Sequence, residues 1–170
     1  MKKPMIDMML KDRYDNLYTP KGVTQPIFHL LKKDTTVWEC CDSGNSWITR
    51  DLKEYGCNVI STDVEFDFLK REIEEDYDYI ITNPPYSLKD RFLERCYELN
   101  KPFALLLPLT ALEGIKRGDM FRRYGISLAV LDRRVDFTGK GNNWFGVGWF
   151  HYGFYLQNFI DFHKLPKETN

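Results

Sequence analysis

The stretch that decides the fold is Asp78-Tyr79-Ile80-Ile81-Thr82-Asn83-Pro84-Pro85-Tyr86-Ser87. Its run of tyrosine, isoleucine and threonine is typical of a strand buried in a parallel sheet. Two prolines follow, and because proline has no N–H to donate to a ladder, they end the strand. The sequence therefore predicts Asn83 at the carboxyl edge of the sheet and Tyr86 on a stiff loop after it. In open α/β sheets, ligands bind at that edge.

The residues at this strand end suit chemistry on an amine attached to a planar ring. The lone pair of such an amine is delocalised into the ring, so the amine is a poor nucleophile. Two acceptors aimed at its N–H bonds free the lone pair, and the Asn83 side-chain oxygen and the Pro84 carbonyl can supply them on a backbone stiffened by Pro85. Tyr86 offers a flat face on which a base can stack. The plainer interpretation is a strand terminated by two prolines and followed by a surface tyrosine.

In its strand-to-helix context, the tetrapeptide Asn83–Tyr86 resembles the catalytic motif of amino-methyltransferases that use S-adenosylmethionine (SAM). N6-adenine methyltransferases, some guanine-N2 RNA methyltransferases and the glutamine-N5 methyltransferases of release factors share this motif. The resemblance extends from about residue 12 to residue 156. It implies an α/β fold, namely a Rossmann-like methyltransferase sandwich with a mostly parallel sheet and a C-terminal antiparallel strand. It also implies Asn83, Pro84, Pro85 and Tyr86 as catalytic residues and SAM as cofactor.

The resemblance assigns cofactor roles to residues near the start of the sheet. A Tyr-Thr-Pro ahead of a predicted helix over 21–33 resembles the segment that holds the methionine end of SAM, which makes Thr19 a candidate; a simple helix N-cap region explains it equally well. Glu39 lies in the strand predicted over 35–41, and a glycine turn and a helix follow, as in the cofactor-binding unit of doubly wound folds.

A second acidic strand end completes this implied cofactor site. Asp63 ends the strand predicted over 57–63, where an acid commonly bonds the ribose hydroxyls. Asp67 and Phe68 resemble the pair that meets the adenine ring. Because so few residues separate Asp63 from Asp67, we expect the sheet to be trimmed by one helix and one strand there, with both acids facing one cavity beside Glu39. The implied cofactor-binding residues are Thr19, Glu39, Gly44, Asp63, Asp67 and Phe68.

The glycine turn departs from the family's acidic-Pro-x-x-Gly-x-Gly pattern. Cys40 replaces the proline, Gly44 alone remains of the glycines, and Ser46 stands where the second belongs. Glycine there permits positive φ and close approach of the cofactor, so Ser46 should introduce strain and weaken cofactor binding. A methyltransferase-like binding protein without activity is therefore an alternative function.

Further elements are predicted along the second half of the chain. Ser87 and Asp90 form a capping-box pattern ahead of a helix. Periodicity and apolar runs predict a central strand over 103–108, a helix over 115–124, a strand over 126–131 and an aromatic-rich strand over 144–156.

Charge is unevenly distributed along the chain. Residues 1–83 carry 11 basic and 16 acidic side chains, a net charge of −5, whereas residues 84–170 carry 13 and 9, a net charge of +4. This asymmetry favours an anionic partner, here DNA or RNA, for the second half, although solvated helix faces explain it equally well. Basic residues near the Asn83 edge, and two aromatics that either wall a base pocket or belong to the core, form the predicted substrate-binding set: Lys89, Arg91, Arg133, Arg134, Lys140, Trp144 and Phe145.

The composition, 43% hydrophobic and 29% charged residues, is that of a soluble globular protein. No apolar run reaches the roughly 20 residues that span a membrane, and no signal peptide is expected. The four cysteines form no C-x-x-C pair, and the three histidines lack the spacing of metal ligands. These residues are Cys40, Cys41, Cys57, Cys96, His29, His151 and His163. We therefore expect reduced thiols, a cytoplasmic location, no membrane association and no metal site.

The length suits a single domain over residues 1–170 with a core from about 12 to 157. It leaves no room for the target-recognition domain of full DNA methyltransferases, so specificity should be low or come from a protein partner or a second copy. The first hypothesis is N6-adenine methylation of DNA or RNA. Glutamine-N5 methylation of a protein, which normally comes with an N-terminal helical domain, and guanine-N2 methylation of RNA remain alternatives.

Overall fold

The structure is a computed structural model of the 170-residue chain and describes residues 18–42, 44–63, 66–141, 145–155 and 159–166. Its regular elements in chain order are the 3-10 helix η1 (Gln25–Leu30), β1 (Thr36–Glu39), α1 (Trp47–Tyr55), β2 (Asn58–Ser61), β3 (Tyr79–Thr82), a 3-10 turn (Tyr86–Leu88), α2 (Lys89–Leu99), β4 (Phe103–Pro108), a 3-10 turn (Leu109–Leu112), α3 (Ile115–Tyr124), β5 (Ser127–Leu131), β6 (Val147–Tyr152) and β7 (Ile160–His163). Among the described helices, none combines the length and the apolar character that crossing a membrane requires.

The strands form one seven-stranded sheet in the order β2-β1-β3-β4-β6-β5-β7. Strands β2, β1, β3 and β4 pair in parallel, β6 pairs antiparallel with both β4 and β5, and β7 pairs in parallel with β5. The mostly parallel α/β sheet with an antiparallel strand is confirmed. Strand β7 lies beyond the last predicted strand and was not predicted, because its Ile-Asp-Phe-His run is too short to give a distinct pattern.

The trimmed edge of the sheet is also confirmed. Between β2 and β3, the described residues 62, 63 and 66–78 contain neither an α-helix nor a strand. Strand β1 therefore lies directly between β2 and β3. Because β2 has no strand beyond it within the described part of the chain, the sheet ends there.

Two buried indoles anchor the packing on the sheet. Trp38 of β1 lies edge-on to Phe68, whose ring stacks on Phe92 of α2, with ring centroids 5.0 Å apart in both pairs. Trp149 of β6 donates a hydrogen bond of 2.8 Å from Nε1 to the Val23 carbonyl, just ahead of η1. Both indoles are fully buried, so the segment before β1 and the turn after β2 are each held against the sheet by a large aromatic side chain.

Two helix predictions are wrong in detail. The helix predicted over 21–33 is the six-residue 3-10 helix η1, because Gly22 has φ of +82° and Leu31 is extended, and neither conformation is helical. The helix that Ser87 was expected to cap begins at Lys89, with Leu88 as its N-cap. Asp90 in its first turn forms an ion pair of 2.6 Å with Arg117 of α3.

Candidate active site

The carboxyl ends of four parallel strands meet at one edge of the sheet. The chain runs from β1 outward to β2 and then returns to β3 on the other side of β1, so the strand order reverses between β1 and β3. Glu39 ends β1 and Thr82 ends β3, with Asn83 following. Glu39 and Asn83, both predicted as site residues, therefore flank the switch point. Ligands usually bind at this point in doubly wound sheets.

Glu39 joins the two strands at this point. Its carboxylate accepts a short hydrogen bond from the Thr82 hydroxyl and a bond of 3.1 Å from the Cys41 backbone N–H. The side chain is only 1% exposed. Burial raises the pKa of Glu39 from 4.5 to about 8, although the bonds from Thr82 and Cys41 oppose the rise. No local pattern marks Thr82, because its role depends on a strand 43 residues away.

The loop after β3 is largely buried. Pro84 is buried, the Asn83 side-chain oxygen is buried, and Tyr86 is 7% exposed. The Tyr86 ring lies edge-on to Phe145, with centroids 5.8 Å apart, and Phe145 stacks with Phe137 at 6.4 Å. The expectation of a surface tyrosine therefore does not hold. Tyr86, three residues after Asn83, instead forms an aromatic wall with Phe145 and Phe137, and Phe137 is a member that the sequence did not reveal.

The hydroxyl of Tyr86 is a buried polar atom that makes no hydrogen bond with the described residues. Burial raises the pKa of Tyr86, so the phenol remains protonated and keeps its donor. A buried hydroxyl without a partner costs stability and is the kind of atom that a bound ligand satisfies. The neighbouring Lys89 ammonium donates to the Tyr86 carbonyl at 3.1 Å and fixes the backbone there.

The turn after β1 adopts its shape without strain at Ser46. Ser46 has φ of −64° and ψ of 158°, and its side chain accepts from the Thr49 N–H as the N-cap of α1. The prediction of backbone strain at Ser46 is therefore wrong. Gly44 has φ of +97°, a conformation that a side chain rarely adopts, so the one retained glycine is the one the turn requires.

Asp42 occupies the inside of this turn and was not predicted. Its carboxylate accepts from the backbone N–H groups of Asn45 and Ser46 at 3.1 to 3.2 Å and from the Thr49 hydroxyl at 2.7 Å. Burial alone would raise the pKa of Asp42, but these bonds hold it below its ordinary value. Asp42 thus fills, from within the chain, an anion position at the start of α1.

The other predicted cofactor residues differ in their surroundings. Thr19 is buried, and its hydroxyl makes no hydrogen bond with the described residues. Asp63 is half-buried and follows β2 at the same sheet edge. Asp67 instead pairs with Lys70 at 2.7 Å on the surface, and Phe68 is a core residue between Trp38 and Phe92. Asp67 and Phe68 therefore already make contacts within the protein, and a bound cofactor would have to contact them in addition.

The predicted substrate-binding residues differ in their surroundings. Arg133 donates to the carbonyls of Leu165 and Pro166, so its guanidinium holds the segment after β7. Arg91, Arg134 and Lys140 are exposed. Phe145 belongs to the aromatic wall, where its ring contacts that of Tyr86. Trp144 lies outside the described residues.

No protein-family model and no curated protein matches the chain. Among solved structures it is similar to the methyltransferase subunit of a type I restriction-modification system from Streptococcus thermophilus, with a TM-score of 0.54 and 14% identity over 94% of this chain and 50% of that one. It is also similar to a TehB-like SAM-dependent methyltransferase from Corynebacterium glutamicum (TM-score 0.46, 16% identity, 86% and 98% covered) and to a release-factor-specific protein-(glutamine-N5) methyltransferase from Alicyclobacillus acidocaldarius (0.42, 16%, 78% and 93%). The chain spans half the length of the first of these, and that likeness shows a methyltransferase fold.

Proposed function

We propose that this protein is a SAM-dependent methyltransferase acting on an exocyclic amine, with N6 of adenine in DNA or RNA as the first candidate. The observation that carries the proposal is the position of Asn83 and Pro84 at the switch point of the sheet, beside the buried Tyr86 and its aromatic wall. That combination supplies two acceptors and a flat surface in one place.

The chain's own residues suffice to prepare the amine. The Asn83 side-chain oxygen and the Pro84 carbonyl would accept hydrogen bonds from the two N–H groups of the amine. These bonds localise the lone pair on the amine nitrogen. Pro85 restricts the direction of the Pro84 carbonyl relative to the chain that follows, because the ring of Pro85 prevents rotation about its N–Cα bond, which has φ of −54°. Phe145 and Tyr86 would hold the ring, and their aromatic faces favour a planar base over the flexible side chain of glutamine.

SAM would supply an electrophilic methyl group at this edge. The buried hydroxyls of Thr19 and Tyr86, which find no partner among the described residues, are two polar atoms that a ligand could satisfy. The buried Glu39 carboxyl would gain from a nearby cation, because burial disfavours its charge and an opposite charge restores it. Together with Asp63 at the end of β2, these residues fit a cationic cofactor that carries a ribose.

One observation favours the alternative of a binding protein without activity. Asp42 already accepts from the N–H groups of Asn45 and Ser46, so these donors are not available to an anionic part of the cofactor. Cofactor affinity must then come from other residues, such as Thr19, Glu39, Asp63 and Tyr86. The two functions are separated by whether the folded protein binds SAM at all.

The test is methyl transfer from radiolabelled SAM to separate pools of DNA, RNA and protein by the purified chain. We expect label in nucleic acid, recovered as N6-methyladenine. Asn83→Ala should lower transfer by about 100-fold or more, since it removes an acceptor made for the transition state. Asn58→Ala, an exposed asparagine in β2, is the matched control and should leave transfer unchanged. Label found only in the protein pool would mean that the substrate is a protein and not a nucleic acid. A folded chain that does not bind SAM at millimolar concentration would support the alternative of a binding protein without activity.

A further inference from the structure

The fold brings together all three histidines of the chain, which are far apart in sequence. His29 lies in η1, His151 in β6 and His163 in β7. The rings of His29 and His163 stack with centroids 5.0 Å apart. His151 is 1% exposed, and His29, Asp161 and His163 all lie close enough to it for their charges to act on its ring. This cluster is built from elements other than the strand ends that carry Glu39 and Asn83.

Strand β7 presents two of its side chains to this cluster. Asp161 and His163 are two residues apart and therefore share one face of the strand. They pair with Ala129 and Leu131 of β5, against which η1 packs. Ile160 and Phe162, on the opposite face, are 58% and 79% exposed. The polar side chains of β7 thus turn towards the protein while its apolar side chains face outward, an inversion that burial of hydrophobic groups does not explain.

The donor atoms of the cluster are close enough to share one ion. One imidazole nitrogen from each of His29 and His163 and one carboxylate oxygen of Asp161 lie within 4.8 Å of one another. Ligands of a tetrahedral zinc ion lie about 3.3 Å apart, as follows from metal–ligand bonds of about 2.0 to 2.1 Å. Rotation of the stacked rings about χ1 and χ2, which turns their in-plane lone pairs towards one point and moves the donor atoms inward by about 1 Å, would close the site.

One ring nitrogen of His163 has no partner among the described residues. His163 Nε2 is buried and makes no hydrogen bond with the described residues. The His163 ring thus combines a buried nitrogen that has no partner among the described residues with a position beside a carboxylate and a second imidazole, as a metal ligand would.

We propose that His29, Asp161 and His163 bind a divalent transition-metal ion of the zinc type, with solvent in the remaining coordination position. Two imidazoles and one carboxylate are the donors that such ions prefer, in contrast to the all-oxygen sites of Mg²⁺ and Ca²⁺. The ion links residue 29 to residues 161 and 163. It therefore fixes β7, at the edge of the sheet, to the segment that leads into β1.

The first test is calorimetric titration of Zn²⁺ into the full chain, free of any affinity tag and with its thiols reduced. We expect one ion per chain. His29→Ala and Asp161→Asn should each weaken binding by more than about tenfold. His29 is exposed, so its substitution should not unfold the protein. Lys164→Ala, an exposed neighbour of the site, is the control and should bind as the unaltered chain does.

Two further readouts separate this site from the thiols and from loose surface binding. Cobalt bound by nitrogen and oxygen should give visible d–d bands without the strong near-ultraviolet bands of thiolate ligands. Zinc should also slow hydrogen exchange at the Asp132 N–H, which donates to the His163 carbonyl at 2.8 Å. Thiolate bands, binding that is unchanged by His29→Ala and Asp161→Asn, or no binding at all would each overturn the proposal.

Discussion

Replacing Glu39 with glutamine should remove a loss of stability that the protein otherwise suffers as the pH rises from 6 to 9. The Glu39 carboxyl is 1% exposed, and burial raises its pKa from 4.5 to about 8. At pH values between 4.5 and 8, the Glu39 carboxyl keeps its proton in the folded state and has lost it in the unfolded state. Folding therefore becomes less favourable with rising pH throughout this window, and the loss levels off above pH 8.

The size of the effect follows from the shift. Each unit of difference in pKa corresponds to 1.36 kcal/mol, so the whole window from pH 4.5 to 8 is worth about 5 kcal/mol at most. Between pH 6 and pH 9 the expected loss is about 3 kcal/mol, because the folded carboxyl ionises within that interval. Glutamine does not titrate, and its side-chain oxygen can still accept from the Thr82 hydroxyl and the Cys41 N–H.

The assay is urea unfolding followed by tryptophan fluorescence at pH 6, 7, 8 and 9. The free energy of unfolding of the unaltered chain should fall relative to that of Glu39→Gln by about 3 kcal/mol across the series. Other titrating groups contribute to both proteins and cancel in the difference. Glu74→Gln, at an exposed glutamate, is the control and should follow the unaltered chain. Parallel curves for Glu39→Gln and the unaltered chain would refute the reasoning.

Tyr86→Phe should be neutral or stabilising by up to about 1 kcal/mol in urea unfolding, because it removes a buried hydroxyl that has no partner among the described residues and keeps the ring against Phe145. Gly56→Ala should cost about 1 kcal/mol in the same assay, since Gly56 ends α1 at φ of +113°. Binding of DNA or RNA, measured by fluorescence anisotropy, should weaken steeply with salt, and Arg134→Glu with Lys140→Glu should weaken it further.

Each of these expectations has a contrary result. A Tyr86→Phe protein that loses more than about 1 kcal/mol would mean that the hydroxyl has a structural partner. A neutral Gly56→Ala would mean that the turn after α1 relaxes at little cost. Nucleic-acid affinity that is flat across salt concentrations and insensitive to charge reversal at Arg134 and Lys140 would exclude phosphate contacts by the second half of the chain.

Local signals predicted the position of the candidate site. Two prolines stop β3 at Thr82, and this alone sets Asn83 at the carboxyl edge. The polar groups around it were not predictable in the same way. Thr82 is a site residue only because β3 lies beside β1 in the sheet, and Phe137 only because its ring meets Phe145. Strand order and loop packing are set by the whole core, which short-range patterns do not encode.

The sequence by itself determined the fold class, the helix over 115–124, the end of α1 at Gly56 and the missing strand after Asp63. These features depend on periodicity, on proline and glycine, and on the number of residues between two points, all of which are local. Only the tertiary structure decided that Thr82 meets Glu39, which is 43 residues away, and that His29 meets His163, which is 134 residues away. The physical reason is that parallel strands and their crossovers bring distant residues together through burial of the core, so a cluster formed in this way has no characteristic spacing in the sequence.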